Sequence, residues 1–258
     1  MQITSSRNPA MQDIRRAASS GRATEDGLIV AEGPHLLEEA IHGAWSIERI
    51  IATSAACERH SRLIENADAI VTEVSERAFA AAATTETTQG LIALLRPRDY
   101  VWRDLTGHPT LLLVIDGVQD PGNAGTIVRS AEAFGATGIV FLTGCVRVAN
   151  GKFLRATAGS ILRMPFIEGA SLAELNQFTA DGRLPLYALT ASGDVSVTSV
   201  DFKKACAMAV GGEGAGASKE LLRSATSVSI PAPKVESLNA AVACSIALFE
   251  AARQRTSR

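Results

Sequence analysis

The stretch "LLLVIDGVQDPGNAGTIVRSAEAFGATGIVFL", Leu111–Leu142, decides the fold class. Leu111–Ile115 is a continuous apolar run, the mark of a strand buried on both faces. A turn with Gly117, Pro121 and Gly122 follows. Ile127, Ala131 and Phe134 then recur at i, i+4 and i+7, which predicts the buried stripe of a helix. Gly135 is placed to cap that helix, and "TGIVFL", Thr137–Leu142, reads as a second strand. Strand, helix and strand in succession predict an α/β fold. Arg129 projects nearly opposite the apolar stripe, and two readings of it stand side by side: a solvated arginine paired with Glu132, or a side chain aimed at a ligand.

The alternation continues toward both ends of the chain. Downstream, "KFLRATAG" predicts a helix, "RMPFIEG" a strand, and "SLAELNQFTADG" a helix whose Ser171 and Glu174 form a capping box. "LPLYALTA" and "ACAMAVGGE" read as strands, "SKELLRSA" as a helix, "SVSIP" as a strand, and a long helix starts near Leu238. Upstream, "NPAMQDIRRAAS" predicts a helix with Asn8 as cap and Pro9 in its first turn. There "GLIVAEG", "SIERIIAT", "DAIVTEV" and "GLIALLRP" read as strands separated by the helices "PHLLEEAIHGA", "CERHSRLIENA" and "SERAFAAAA". This alternation predicts a mostly parallel sheet covered on both faces. Between the two series, "RPRDYVWRDLTGHPT" carries two prolines, several charges and no period. Residues 96–109 are therefore expected to link a small α/β domain over residues 1–95 to a second over residues 110–258.

With 47% hydrophobic and 20% charged residues, the 258-residue chain has the composition of a folded protein. No run approaches the roughly 18 apolar residues of a membrane span, and Met1–Ala10 is too polar for a signal peptide, so the expectation is a cytoplasmic protein with no membrane association. Cys57, Cys145, Cys206 and Cys244 are far apart and make no CxxC pair, and His35, His42, His60 and His108 form no cluster. Neither a metal nor Cys/His nucleophilic chemistry is expected from them. The net charge of −2 argues against nonspecific polyanion binding but leaves room for local basic patches. One holds Arg7, Arg15, Arg16 and Arg22 against Asp13, the other Arg253, Arg255 and Arg258.

Ligands of open α/β sheets bind beyond the carboxyl ends of the strands. Three turns there are candidates: "DPGNAG" after Ile115, "GGEGAGAS" after Val210 and "IPAPKVESLNAA" after Val228. Neither glycine turn has the GxGxxG form of a dinucleotide fold, and "GIVFLTG" supplies no acid to hold a ribose, which counts against a nicotinamide-dependent oxidoreductase.

Taken in order, N-x-G-x-x-x-R at Asn123–Arg129, G-x-E-G-x-G at Gly211–Gly216 and IP…ESLN at Ile230–Asn239 resemble the SpoU branch of the SPOUT superfamily. Members of that branch transfer methyl from S-adenosylmethionine to a ribose 2′-hydroxyl in RNA. In the first part, "VAEGPHLLEEAI" and "TTETTQGLIALL" resemble the family's substrate-binding domain, with Thr88 where a proline often stands. Two departures touch the cofactor loop: Ala232 replaces a common methionine, and the spacing from Ile230 to Leu238 is about one residue short.

The resemblance implies a C-terminal α/β methyltransferase domain tied in a trefoil knot, preceded by a small ribosomal-protein-like RNA-binding domain. It implies a homodimer whose active sites form at the interface, with the last helix contributing. It puts the cofactor against backbone around Gly211, Gly212, Gly214, Ile230 and Leu238. Glu213, Ser237 and Asn239 would shape the pocket, and Asn123 and Arg129 would face the ribose, Arg129 as the main catalytic candidate. Arg7, Arg15 and Arg16 are candidates for phosphate contacts. Large-subunit ribosomal RNA is the expected substrate. The alternatives are a transfer-RNA enzyme of the same chemistry and an RNA-binding relative that has lost catalysis.

Overall fold

The computed structural model describes residues 3–256, so Arg258 of the second basic patch lies outside the described residues. The chain forms two compact units: one is the chain as far as Asp99 together with Arg147–Arg163, the other Tyr100–Val146 and the chain from Met164 onward.

In the first unit, α1 (Pro9–Ser20) starts where the Asn8 side chain accepts from the Ala10 N–H and ends at Gly21, φ 69°. Then come β1 (Ile29–Glu32), α2 (Pro34–His42), β2 (Ile47–Thr53), α3 (Ser54–Arg59), α4 (Ser61–Glu65), β3 (Ile70–Val74), α5 (Glu76–Ala82) and β4 (Leu91–Leu95). The helical pattern around Cys57–Ala67 is thus two short helices, broken at His60, φ −115°.

The sheet order is β1-β4-β2-β3. Its parallel character is less than the alternation predicts: β2 and β3 pair in parallel, but β4 runs antiparallel to both β1 and β2 and separates them. Interior β4 is buried along its whole length, and edge strand β3 exposes Ile70 and Val71, whereas β1 at the other edge is also buried throughout. Met11, Ile14 and Phe79 pack with Val30, Ile51 and Ile92 to form the core beneath α1 and α5.

The second unit begins with ordered chain. Trp102 stacks on Phe178 with ring centroids 4.8 Å apart, and Leu105 is fully buried, so apolar packing holds this stretch where no regular period does. β5 (Leu111–Asp116), α6 (Pro121–Ala133) and β6 (Gly138–Leu142) follow as strand, helix and strand. Gly135 adopts the left-handed conformation just past α6, φ 78°.

The chain then contributes α7 (Gly151–Ala156) and α8 (Ser160–Arg163) to the first unit before continuing the second. There it forms β7 (Phe166–Ala170), α9 (Leu172–Asp181), β8 (Leu186–Leu189), β9 (Val195–Ser196), β10 (Cys206–Gly211), α10 (Lys219–Leu222), β11 (Thr226–Ser229) and α11 (Ala240–Thr256). Ser171 and Glu174 make the predicted capping box. β9, two residues long, carries no apolar run and is not legible in sequence.

These strands form a seven-stranded sheet, order β7-β6-β5-β10-β8-β11-β9, in which every pairing is parallel. Central β5 and β10 are buried along their whole length, as a sheet covered on both faces requires. At the C-terminal end, Arg255 donates to the carbonyls of Pro109, Thr110, Phe202 and Lys204, and Arg253 pairs with Glu250. Arg255 therefore fastens α11 to the neighbouring loops, and the Arg253–Glu250 pair lies within the helix itself.

Candidate active site

β5 and β10 are parallel neighbours whose register sets Asp116 opposite Gly211. The turns that leave these strands therefore start side by side at the carboxyl edge of the sheet. After β5, Asp120 caps α6 by accepting from the Asn123 N–H at 2.7 Å, and Pro121 opens the helix. After β10, the backbone turns back sharply, with Gly216 N–H donating to Gly212 C=O at 2.9 Å. The Asp116 carboxylate accepts from the Ser218 N–H at 2.7 Å and pins the far end of this turn.

The third motif arrives from β11. Asn239 caps α11, its side-chain oxygen accepting from Ala241 N–H at 2.9 Å and Val242 N–H at 3.2 Å. α11 packs along α6, where the Ser130 and Ser245 hydroxyls lie 2.7 Å apart.

Glu213 joins all three motifs. Its Oε1 accepts from Asn123 Nδ2 at 2.5 Å and from Asn239 Nδ2 at 2.6 Å, and Asn239 Nδ2 also reaches Asn123 Oδ1 at 3.2 Å. The carboxylate thus sits between the N-termini of two long helices, whose dipoles favour a negative charge there.

Beside this cluster lies a pocket of about 590 Å³, within the range of small-molecule sites. Gly211, Gly212, Gly214, Ile230, Ser237 and Leu238, the residues singled out in the sequence, all line it, together with Glu213 and Asn239. A Cβ on Gly211 would lie 2.0 Å from Ala217 N, and one on Gly212 would lie 2.6 Å from Gly117 O. Backbone therefore forms this wall, with its amide groups close to any ligand.

Sequence reasoning missed Leu189, Thr190 and Ala191, which line the pocket from the end of β8. Their only signal is position just past an apolar strand, at the edge where such sheets bind ligands. The Thr190 hydroxyl is buried without a hydrogen-bond partner among the described residues. The lining includes two acids, Glu213 and Glu236, and no lysine or arginine. It suits a cationic or neutral ligand better than a polyphosphate.

Arg129 is exposed on α6 and does not line this pocket. Among the described residues its side chain makes no hydrogen bond or ion pair, so the pairing with Glu132 is not formed. Of the candidates for phosphate contacts, Arg7 is exposed at the start of α1. Arg15 donates to Ala83 C=O at 2.8 Å, and Arg16 pairs with Asp13 and Glu25 at 2.6 and 2.7 Å.

Burial pushes the Cys206 thiol up to about 11, with Arg255 only partly offsetting it, and the Cys244 thiol up to about 12, so neither is a thiolate near neutrality. Among the described residues, no group of three or more His, Cys, Asp or Glu side chains is arranged to hold a metal ion.

Residues 110–249 match the model of the SpoU rRNA methylase family, and residues 8–93 match that of the MRM3-like substrate-binding domain. The chain is 35% identical to an uncharacterized tRNA/rRNA methyltransferase of Synechocystis, over 98% of this chain and 94% of that one. It is 28% identical to a 23S rRNA (guanosine(2553)-2′-O)-methyltransferase of Bacillus subtilis, over 96% of this chain and 98% of that one. The crystal structure of an AdoMet-bound rRNA methyltransferase from Sinorhizobium meliloti superposes with a TM-score of 0.87 at 29% identity, covering 100% of this chain and 99% of that one.

Proposed function

The chain belongs to the SpoU rRNA methylase family, and from that premise we propose that it transfers methyl from S-adenosylmethionine to a ribose 2′-hydroxyl of large-subunit ribosomal RNA. The observation that carries the reading is the Asn123–Glu213–Asn239 cluster, which gathers three distant motifs beside one pocket. A pocket with two acids and no basic residue fits a sulfonium donor and disfavours the pyrophosphate of a nicotinamide dinucleotide. The match to a substrate-binding domain and the ribosomal specificity named for the Bacillus relative favour ribosomal over transfer RNA. In this reading residues 1–95 hold RNA, residues 110–258 carry methyl transfer with residues 96–109 between them, and the enzyme works in the cytoplasm.

S-adenosylmethionine, when bound, supplies a methyl group already activated by its sulfonium. The protein's task is to align the attacking oxygen and help its proton leave. Gly211, Gly212, Gly214, Ile230 and Leu238 would hold the donor through backbone and apolar contact, and Glu213, Ser237 and Asn239 would keep the loops in shape. Asn123 and Arg129 face the ribose. A guanidinium presents a planar fork of donors, which suits Arg129 to anchoring an anionic group. It grips the adjacent phosphate, orients the 2′-hydroxyl and stabilises the developing oxyanion, and the proton passes to phosphate or water.

A homodimer completes this reading. Arg129 does not line the pocket of its own chain, and α11 exposes Val242, Ile246 and Phe249 at i, i+4 and i+7 while burying Cys244 and Leu248 on its other side. A helix apolar on both faces calls for a second covering surface. A second copy of the chain would cover it and bring Arg129 to a pocket. We also assign a knot to the C-terminal region. General topology rules disfavour knots, but β10 enters the sheet between the earlier strands β5 and β8, and α11 returns to α6.

The test is Arg129→Ala. Calorimetric titration with S-adenosylmethionine is expected to match wild type, while tritium transfer to ribosomal RNA falls by about a hundredfold or more, as for loss of a group that stabilises developing charge. Wild-type turnover in this variant would remove Arg129 from the mechanism.

A further inference from the structure

The segment Arg147–Arg163 lies in sequence between β6 and β7 of the second unit but packs as part of the first. It carries Arg147, Lys152, Arg155 and Arg163 and no acidic residue. Its four cations divide into two kinds. Arg155 lies 3.9 Å from Glu32, and Arg163 pairs with Glu39. These acids are largely enclosed, with side chains 5% and 14% exposed. Burial disfavours the Glu32 charge, but hydrogen bonds from Thr85 and Thr84 outweigh it and hold the carboxyl below its usual range. The Trp45 indole adds a 2.7 Å hydrogen bond to Leu162 C=O. Two cations thus anchor the segment.

The other two are exposed. Among the described residues neither Arg147 nor Lys152 makes a side-chain hydrogen bond or an ion pair. They flank Asn150, whose N–H donates to Arg147 C=O at 3.0 Å and whose side chain accepts from Lys152 N–H at 2.9 Å. Asn150 in turn meets the end of α1, where its Cβ is 3.2 Å from the place a Cβ on Gly21 would occupy. The next residue, Arg22, is exposed and likewise makes no side-chain hydrogen bond or ion pair among the described residues. Of the acids near it in sequence, Asp13 and Glu25 are held by Arg16.

We infer that Arg22, Arg147 and Lys152 form a composite phosphate-contact surface for the RNA strand, built from the end of α1 and the turn into α7. This inference rests on the proposed RNA substrate. It moves the phosphate contacts away from Arg15, whose guanidinium is fastened to the Ala83 carbonyl, and from Arg16, whose charge two carboxylates already meet. Exposed unpaired cations keep their counterion release available to a polyanion, whereas a cation already neutralised by carboxylates contributes little.

The experiment measures binding of a large-subunit ribosomal RNA transcript to the full-length protein across a salt series. Arg22→Ala/Arg147→Ala/Lys152→Ala is expected to weaken binding at least tenfold and to flatten the slope of log affinity against log salt by about 2, three phosphate contacts' worth. S-adenosylmethionine affinity and thermal midpoint should stay at wild-type values, since all three side chains are exposed. Arg22→Lys/Arg147→Lys, which keeps the charge, should retain the wild-type slope. Arg15→Ala/Arg16→Ala should change the slope by much less. A triple variant with wild-type affinity and slope overturns the inference, as does an equal loss in the Arg15/Arg16 variant. If wild type itself binds the transcript without salt dependence, the RNA reading beneath the inference fails instead.

Discussion

Gly211 and Gly214 stand in one turn, yet they are glycines for different reasons. A side chain at Gly211 would drive into Ala217 N and Gly216 C, both 2.0 Å from its Cβ, and neither is a flexible tip that could yield. Gly214 faces open space and is held only by its left-handed backbone, φ 77°. Gly211→Ala is therefore expected to cost about 3 kcal/mol or more and to abolish donor binding. Gly214→Ala should cost only about 1–2 kcal/mol of backbone strain. Thermal unfolding and calorimetric titration with S-adenosylmethionine check both; equal losses in the two variants would refute the distinction. The motif marked both positions for glycine. Which of them is sterically obligatory depends on where Ala217 and Gly216 return, a contact no spacing rule contains. The arginines of α1 teach the same point: composition makes Arg15 and Arg16 a basic patch, but their partners Ala83, Asp13 and Glu25 become visible only after folding.

At the scale of elements, local chemistry was legible and pairing was not. Asn8, Ser171 and Glu174 satisfy orphan N–H groups within a turn of their own helix, so short sequence patterns reveal them. β4 is different, because its antiparallel place between β1 and β2 is decided by strands far off in sequence. α11 carries a prediction of its own. Hydrogen bonds from Arg253 and Gln254 hold the Glu250 carboxyl at about 2, down from an ordinary value of 4.5. A carboxylate lowered by folding stabilises the protein above its unfolded value and loses that contribution as pH falls through the folded one. The window therefore runs from about 4.5 down to about 2. The effect is on the order of 1 kcal/mol, discounted because Arg253 is largely solvent-exposed. Glu250→Gln should flatten the loss of thermal midpoint across that window; an unchanged pH profile would count against the assignment.

For the whole molecule, assembly and chain path matter most. Phe249 is 54% exposed on α11 and touches Phe134 edge-on. Phe249→Asp is expected to halve the mass measured by light scattering and to suppress methyl transfer. Donor affinity should persist, because Phe249 does not line the pocket. A variant that stays dimeric and active would argue that this face is not the interface. The α/β class and most of the helices and strands could be read from residue order, because periodicity, capping and glycine turns are short-range properties. Folding alone made Arg147–Arg163 part of the first unit, drew Asn123, Glu213 and Asn239 onto one carboxylate oxygen, and left Arg129 outside its own pocket. Those outcomes depend on strand register and on side chains that meet across a hundred residues or so, and the energies that set them arise only when the distant partners are already in contact.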